Sequence, residues 1–217
     1  LVQVESARAE ELNVAVAANF LGTLQRLAPL FEQATGHKLV PSPGSTGQLY
    51  AQIQRGAPYD VLLSADAERP AKLEAEGLTL PGSRFTYAIG RLVLWSPKPG
   101  VVDAKGEVLK KQELRFVALA DPKTAPYGAA AEQALSALKL LEPLRAAKKL
   151  VYGESAAQAQ QFASTGHAEL GFLALAQITD VSGKTNGSLW LVTGSLYKRL
   201  EQDAAALPEE PRRRVAL

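Results

Sequence analysis

Cysteine and methionine are both absent from the 217 residues, and histidine occurs only twice. Without cysteine there are no disulfide staples, no thiolate metal sites and no thiol nucleophile. His37 and His167 each follow a glycine in a predicted turn, which places both at the surface. That leaves no catalytic triad and no histidine-rich metal site to assemble. Aromatic residues make up only 6% of the chain. Trp95 and Trp190 each end a β-rich run and read as packing residues. No apolar run approaches the roughly 18 residues of a membrane-spanning helix. The net charge of +2 is small, and no basic stretch is interleaved with aromatics, which argues against nucleic acid as a partner. The run Arg212-Arg213-Arg214 follows Glu209 and Glu210 and reads as a solvated helix face.

What the chain does have is the composition of a globular protein, 47% hydrophobic and 21% charged, with length for two lobes of about 100 residues each. Ala7-Arg8-Ala9 fits the small-x-small pattern of a signal-peptidase site, so residues 1–9 read as the tail of a secretion signal.

Short apolar runs alternate with amphipathic stretches, the pattern of an α/β fold. Leu12 to Ala17 predicts a strand, with Asn19 as N-cap of a helix that buries Leu24, Leu27, Leu30, Phe31 and Ala34 and stops at Gly36. Leu39-Val40 is a second strand, followed by Gly44-Ser45-Thr46-Gly47 and a short helix carrying Leu49 and Ile53. Tyr59 to Leu63 is a third strand, Ala67 to Glu76 a helix, and Arg84 to Trp95 one long β-rich segment. The second half repeats the scheme with a strand at 115–120, a helix from Pro126 to about Leu141 and a strand at 149–152. The capping sequence Ser155-Ala156-Ala157-Gln158 opens a further helix, and Leu170 to Leu173 is the last strand of the series.

Four strands thus end in a small-residue turn that opens a helix, at Asn19, at Gly44–Gly47, at Ala125–Gly128 and at Ser155–Ala156. Ligands of open α/β sheets bind at the carboxyl ends of strands, where helix N-termini offer unpaired N–H groups and about half a positive charge each. The turn cores Ala17–Phe20, Gly44–Leu49, Ala125–Ala130 and Ser155–Ala159 hold no Lys, Arg, Asp, Glu or His. Such a site holds its ligand with backbone N–H groups and neutral hydroxyls or amides, chemistry suited to a fully deprotonated dianion. A ligand that keeps a proton would ask for a carboxylate acceptor, and these cores offer none, although Asp121 and Glu154 lie nearby in sequence. The Gly44–Gly47 turn lacks the lysine of a P-loop and the spacing of a nucleophile elbow. Asp60 and Asp66 flank a strand and read as turn or cap residues rather than a metal pair.

At these same turns the sequence resembles the periplasmic molybdate-binding proteins of ABC importers. The matching stretches are Val16-Ala17-Ala18-Asn19-Phe20, Gly44-Ser45-Thr46-Gly47, Gly56 to Val61, Ser64-Ala65-Asp66, Asp121-Pro122 through Gly128, and Leu170-Gly171-Phe172. The resemblance covers about residues 12–207 and implies a two-lobed periplasmic-binding-protein fold with hinge strands and a ligand cleft between the lobes. It places residues 10–88 and 194–217 in lobe I, without the family's usual C-terminal helix, and residues 89–193 in lobe II. It further implies an oxyanion site built from Ala18, Asn19, Ser45, Thr46, Tyr127 and Ala156, with Ala18, Tyr127 and Ala156 acting through their backbones. Some members add a tyrosine hydroxyl where this chain has Phe172, Leu173 and Ala174, so that contact is expected to be missing and Asn19 to compensate. Tyr197 to Leu207 resembles the family's returning segment, where Gln202 matches.

The function implied is capture of molybdate or tungstate in the periplasm by a monomer that delivers it to a membrane permease, with no catalysis, no cofactor and no metal bound directly by side chains. Other readings are a receptor for sulfate or another tetrahedral anion, an intracellular anion-sensor domain, and an enzyme acting on a phosphorylated substrate. The last wants an acid, base or metal cluster that the sequence does not show.

Overall fold

The computed structural model describes residues 10–208. The expected signal tail at 1–9 and the segment 209–217 assigned to lobe I, with its arginine run, lie outside the described residues.

The chain folds into two α/β lobes, each built on a five-stranded sheet. The first lobe opens with β1 (Glu11–Ala17), α1 (Leu21–Thr35), β2 (Lys38–Gly44), α2 (Thr46–Gln54), β3 (Val61–Leu63), α3 (Glu68–Ala75) and β4 (Phe85–Gly90). The chain then crosses to the second lobe with β5 (Leu92–Ser96), β6 (Val117–Ala120), α4 (Pro126–Ala137), α5 (Leu141–Ala146) and β7 (Leu150–Gly153). That lobe finishes with α6 (Ala156–Ser164), β8 (Leu170–Ala174), α7 (Leu175–Ile178) and β9 (Ser188–Leu191), and β10 (Leu200–Ala206) returns to the first.

The two sheets share one topology. Their strand orders are β2-β1-β3-β10-β4 and β7-β6-β8-β5-β9. In each, three parallel strands are followed by an antiparallel one that has just crossed from the other lobe. The crossings are therefore β4 to β5 and β9 to β10. The segment Arg84–Trp95 is not one strand but two, broken at Arg91 and divided between the sheets. Burial explains the division: β5 is buried at every residue, whereas β4 is an edge strand with Phe85 and Ile89 exposed.

Other boundaries shift for local reasons. The strand expected at Leu39–Val40 runs on to Gly44 through Pro41 and Pro43, which pair with Val14 and Val16. Proline is tolerated because β2 is an edge strand, where an absent N–H costs no ladder bond. The third strand shortens to Val61–Leu63. The helix expected to run to Leu141 stops at Ala137, and Lys139 takes a left-handed φ of 58° before α5 begins.

The second lobe's core gathers Leu92, Leu94, Leu119, Leu135, Leu170 and Phe172, all essentially inaccessible to solvent. Each such side chain contributes about 1.5–3 kcal/mol relative to exposure. Both tryptophans pack: the Trp95 indole donates to the Asn186 carbonyl at 2.7 Å, and Trp190 joins the main core. The first lobe is more thinly covered. Of the α1 face expected to be buried, only Leu24 is; Phe31 is half-buried, Ala34 is exposed, and Leu27 and Leu30 are 46% and 62% exposed. The helix rests on Val14 and Val16 through one turn, and its amphipathic pattern extends beyond the surface it covers among the described residues.

Candidate functional site

The four small-residue turns meet at one point between the lobes. A small cavity is lined by Ala17, Ala18 and Asn19 after β1, and by Gly44, Ser45 and Thr46 after β2. Ala65, and then Ala125, Pro126, Tyr127 and Ala156 of the other lobe, complete the wall. All six residues singled out from the sequence border it. Asp121 and Glu154 do not, and no lining side chain carries a formal charge. Phe172, Leu173 and Ala174 are buried within β8 and also stay clear of the cavity.

The donors follow from how each helix starts. Ser45 is the N-cap of α2 in a complete capping box: its hydroxyl accepts from the Gln48 N–H at 3.4 Å, and the Gln48 side chain accepts from the Ser45 N–H at 3.1 Å. The pattern Ser-x-x-Gln spells this box in the sequence. The Thr46 hydroxyl oxygen accepts from the Ala65 N–H at 3.1 Å, which leaves its own hydrogen to donate. Helix α4 begins with Pro126, which has no N–H, so Tyr127 supplies the first backbone donor there. Ala156 is the first residue of α6 behind the N-cap Ser155. The box expected there forms differently: Ser155 caps the Gln158 N–H at 3.4 Å, but the Gln158 side chain accepts from Glu154, one residue earlier. The first N–H groups of a helix have no partner inside it, and each N-terminus carries about half a positive charge. Helices α2, α4 and α6 start at this cavity, and the turn that leads into α1 borders it.

Two residues depart from the roles expected of them. The Ala18 N–H donates to the Gly44 carbonyl at 2.9 Å, so it ties the first turn to the second instead of remaining free for a ligand. Asn19 does not cap α1. The N-cap position is Phe20, without a side-chain hydrogen bond, and the Asn19 amide nitrogen donates to Oε1 of Gln202 at 2.8 Å. The two are 183 residues apart, and no local pattern announces their contact.

The Tyr127 side chain turns away from the cavity toward the crossing between lobes. A Cβ added at Gly90 would stand 2.3 Å from its hydroxyl oxygen, so only glycine leaves room for the ring. Burial pushes its phenol well above the ordinary tyrosine value, so it stays protonated. The lobes also touch beside the cavity: Gly47 N–H donates to the Thr124 carbonyl at 2.8 Å, and Arg69 to the Lys123 carbonyl at 3.1 Å. Arg26 reaches the Thr179 carbonyl at 3.2 Å. This is a closed arrangement.

Asp60 and Asp66 serve backbone and helix ends. Asp60 accepts from the Asn13 N–H at 2.7 Å, and Asp66 caps the Arg69 N–H at 2.9 Å while pairing with its guanidinium. Among the described residues no group of three or more His, Cys, Asp and Glu is placed to hold a metal ion, and no helix is long and apolar enough to cross a membrane. His167 is exposed, and half-buried His37 accepts from the Glu10 N–H at 3.2 Å.

Two lobes with parallel topology, joined by crossing strands and closed on a cavity of helix N-termini, define a receptor for a small solute. The chain belongs to the bacterial extracellular solute-binding proteins, whose family model matches residues 12–217. It is similar to the molybdate-binding protein ModA of Azotobacter vinelandii, with 54% identity over 202 residues that make up 93% of this chain and 79% of that protein. The Rhodobacter capsulatus molybdate-binding protein ModA is 50% identical over 201 residues, 93% of this chain and 77% of the relative. The solved structure of the Azotobacter vinelandii periplasmic molybdate-binding protein matches with a TM-score of 0.90 at 47% identity, covering 94% of this chain and 89% of that one.

Proposed function

We propose that this protein captures molybdate or tungstate in the periplasm and hands it to the permease of an ABC importer. The observation that carries the reading is the cavity wall: donors from three helix N-termini and from neutral side chains, without a single formal charge. The relevant groups are the Asn19 amide, the Ser45 and Thr46 hydroxyls, and the backbone N–H groups of Thr46, Tyr127 and Ala156, with Ala18 shaping the wall. A dianion satisfies such donors and meets no carboxylate. Each hydrogen bond to a charged group is worth about 1.5–3 kcal/mol, so five or six of them offset a large part of the dehydration cost.

The relatives at 54% and 50% identity, both named for molybdate, support that anion over sulfate. A wall without a free acid or base supports transport without chemistry. The cavity is completed within one chain, which supports action as a monomer. Isothermal titration with molybdate, tungstate, sulfate and phosphate is the test. Molybdate and tungstate are expected to bind far more tightly than the other two, and phosphate binding on a par with molybdate would overturn the reading.

A further inference from the structure

The cavity's first wall depends on a residue that does not line it. Asn19 presents a carboxamide, and a carboxamide is ambiguous toward an anion: its NH2 attracts and its oxygen repels. What fixes it is Gln202, on returning strand β10, whose Oε1 accepts from the Asn19 Nδ2 at 2.8 Å. Both residues are 4% exposed. Gln202 is itself placed by an irregularity in the sheet. The register between β10 and β4 slips between Gln202 and Asp203, from Ala88 to Thr86, and Tyr87 is passed over. The Tyr87 hydroxyl donates to the Ser64 carbonyl at 2.9 Å and lies 3.4 Å from the same Gln202 oxygen. Such slips re-aim side chains out of the regular ladder.

From this geometry we infer that Gln202 is a positioning residue for the oxyanion site, acting through Asn19. By taking one of the two Nδ2 hydrogens it holds the amide plane and keeps the other N–H available as a donor beside the cavity. It also joins the first turn to a strand that has just crossed between the lobes, so the donor's orientation depends on the seating of β10. The inference rests on the oxyanion reading above and adds a residue to it.

A double-mutant cycle tests it, with molybdate as the probe. Gln202→Met keeps the length and removes the acceptor. It is expected to weaken molybdate roughly three- to thirtyfold in the otherwise unchanged protein, within the range of coupling between hydrogen-bonded neighbours. In an Asn19→Ala background the same substitution is expected to cost less than twofold, because the group it orients is gone. Equal losses in both backgrounds would mean that Gln202 acts elsewhere and would overturn the inference, as would an unchanged affinity in the single variant.

A second readout needs no variant at position 202. The Asn19 side-chain NH2 resonances, assigned by their loss in Asn19→Ala, are expected to show one proton protected from exchange without ligand and the other shifting on molybdate addition. Two protons that exchange alike and ignore molybdate would overturn the inference even if Gln202→Met did not fold. If the unsubstituted protein binds no molybdate at all, the oxyanion reading fails first. Binding with an additive cycle defeats only the role of Gln202.

Discussion

Gly47 and Thr124 meet across the cleft, N–H to carbonyl at 2.8 Å, at the point where the first lobe's second turn touches the loop before α4. A Cβ on Gly47 would stand 3.0 Å from the Thr124 Cα and 3.1 Å from its carbonyl oxygen. Both are backbone atoms that cannot swing aside. Gly47→Ala is therefore expected to weaken molybdate at least tenfold by holding the lobes apart. Within helix α2 the same change favours folding by about 0.5–1 kcal/mol. Titration and ligand-free thermal unfolding should thus move in opposite directions; unchanged affinity would show that the lobes close without this contact.

The side chains at the first two turns give separable effects. Asn19→Ala and Thr46→Val should each weaken the oxyanion by about 1.5–3 kcal/mol, one charge-assisted hydrogen bond apiece. Thr46→Val should also lower ligand-free stability by about 1–3 kcal/mol, because the buried Ala65 N–H loses its acceptor. Thr46→Ser keeps both bonds and should retain affinity and stability alike. If Val and Ser at this position bound equally well, the hydroxyl would not be a ligand contact.

Acid should destabilise the second lobe while leaving the site's own chemistry unchanged. Burial pushes the Glu169 carboxyl up, but the N–H groups of Phe116 and Arg115 and the Arg115 guanidinium together hold it below its ordinary 4.5. Asp103 is likewise held below 3.8 against burial by the N–H groups of Glu107, Lys105 and Val108. A depressed carboxyl contributes its stability in full above the unfolded value and loses it as pH falls through the folded one. Melting temperature should therefore decline below about pH 4.5, and Glu169→Gln should flatten that decline. Molybdate affinity, with no titrating group on the cavity wall, should be level between about pH 6 and 9. A marked pH dependence of affinity in that window would point to an ionisable contact elsewhere.

Ligand should stabilise the closed form over the open one. At 100 times its dissociation constant, molybdate should add about 2.7 kcal/mol to unfolding stability. If the free protein opens in solution, scattering should report compaction on binding, since only a difference in affinity between the two states shifts their balance. A rise in melting temperature without compaction would mean that the contacts of Gly47, Arg26 and Arg69 already hold the lobes shut.

The sequence by itself determined the chemistry of the wall and the class of fold. Small uncharged residues at four strand-to-helix turns are a local property, and each turn opens its helix near where the apolar periodicity changes from two to 3.6. Pro126 and the Ser45–Gln48 pair are likewise legible, because a helix start is set by residues within one turn of it. Tertiary structure decided what those turns are for. That the second pair of turns faces the first depends on two crossings, at Arg91 and before Leu200, where pairing with strands distant in sequence decides which sheet each strand joins. The first turn divides its donors by neighbours no local pattern names: Gly44 takes the Ala18 N–H, and Gln202 takes one hydrogen of Asn19 from across 183 residues. Local sequence sets which groups can donate; only the packing of β2 and β10 against that turn sets which of them remain free to do so.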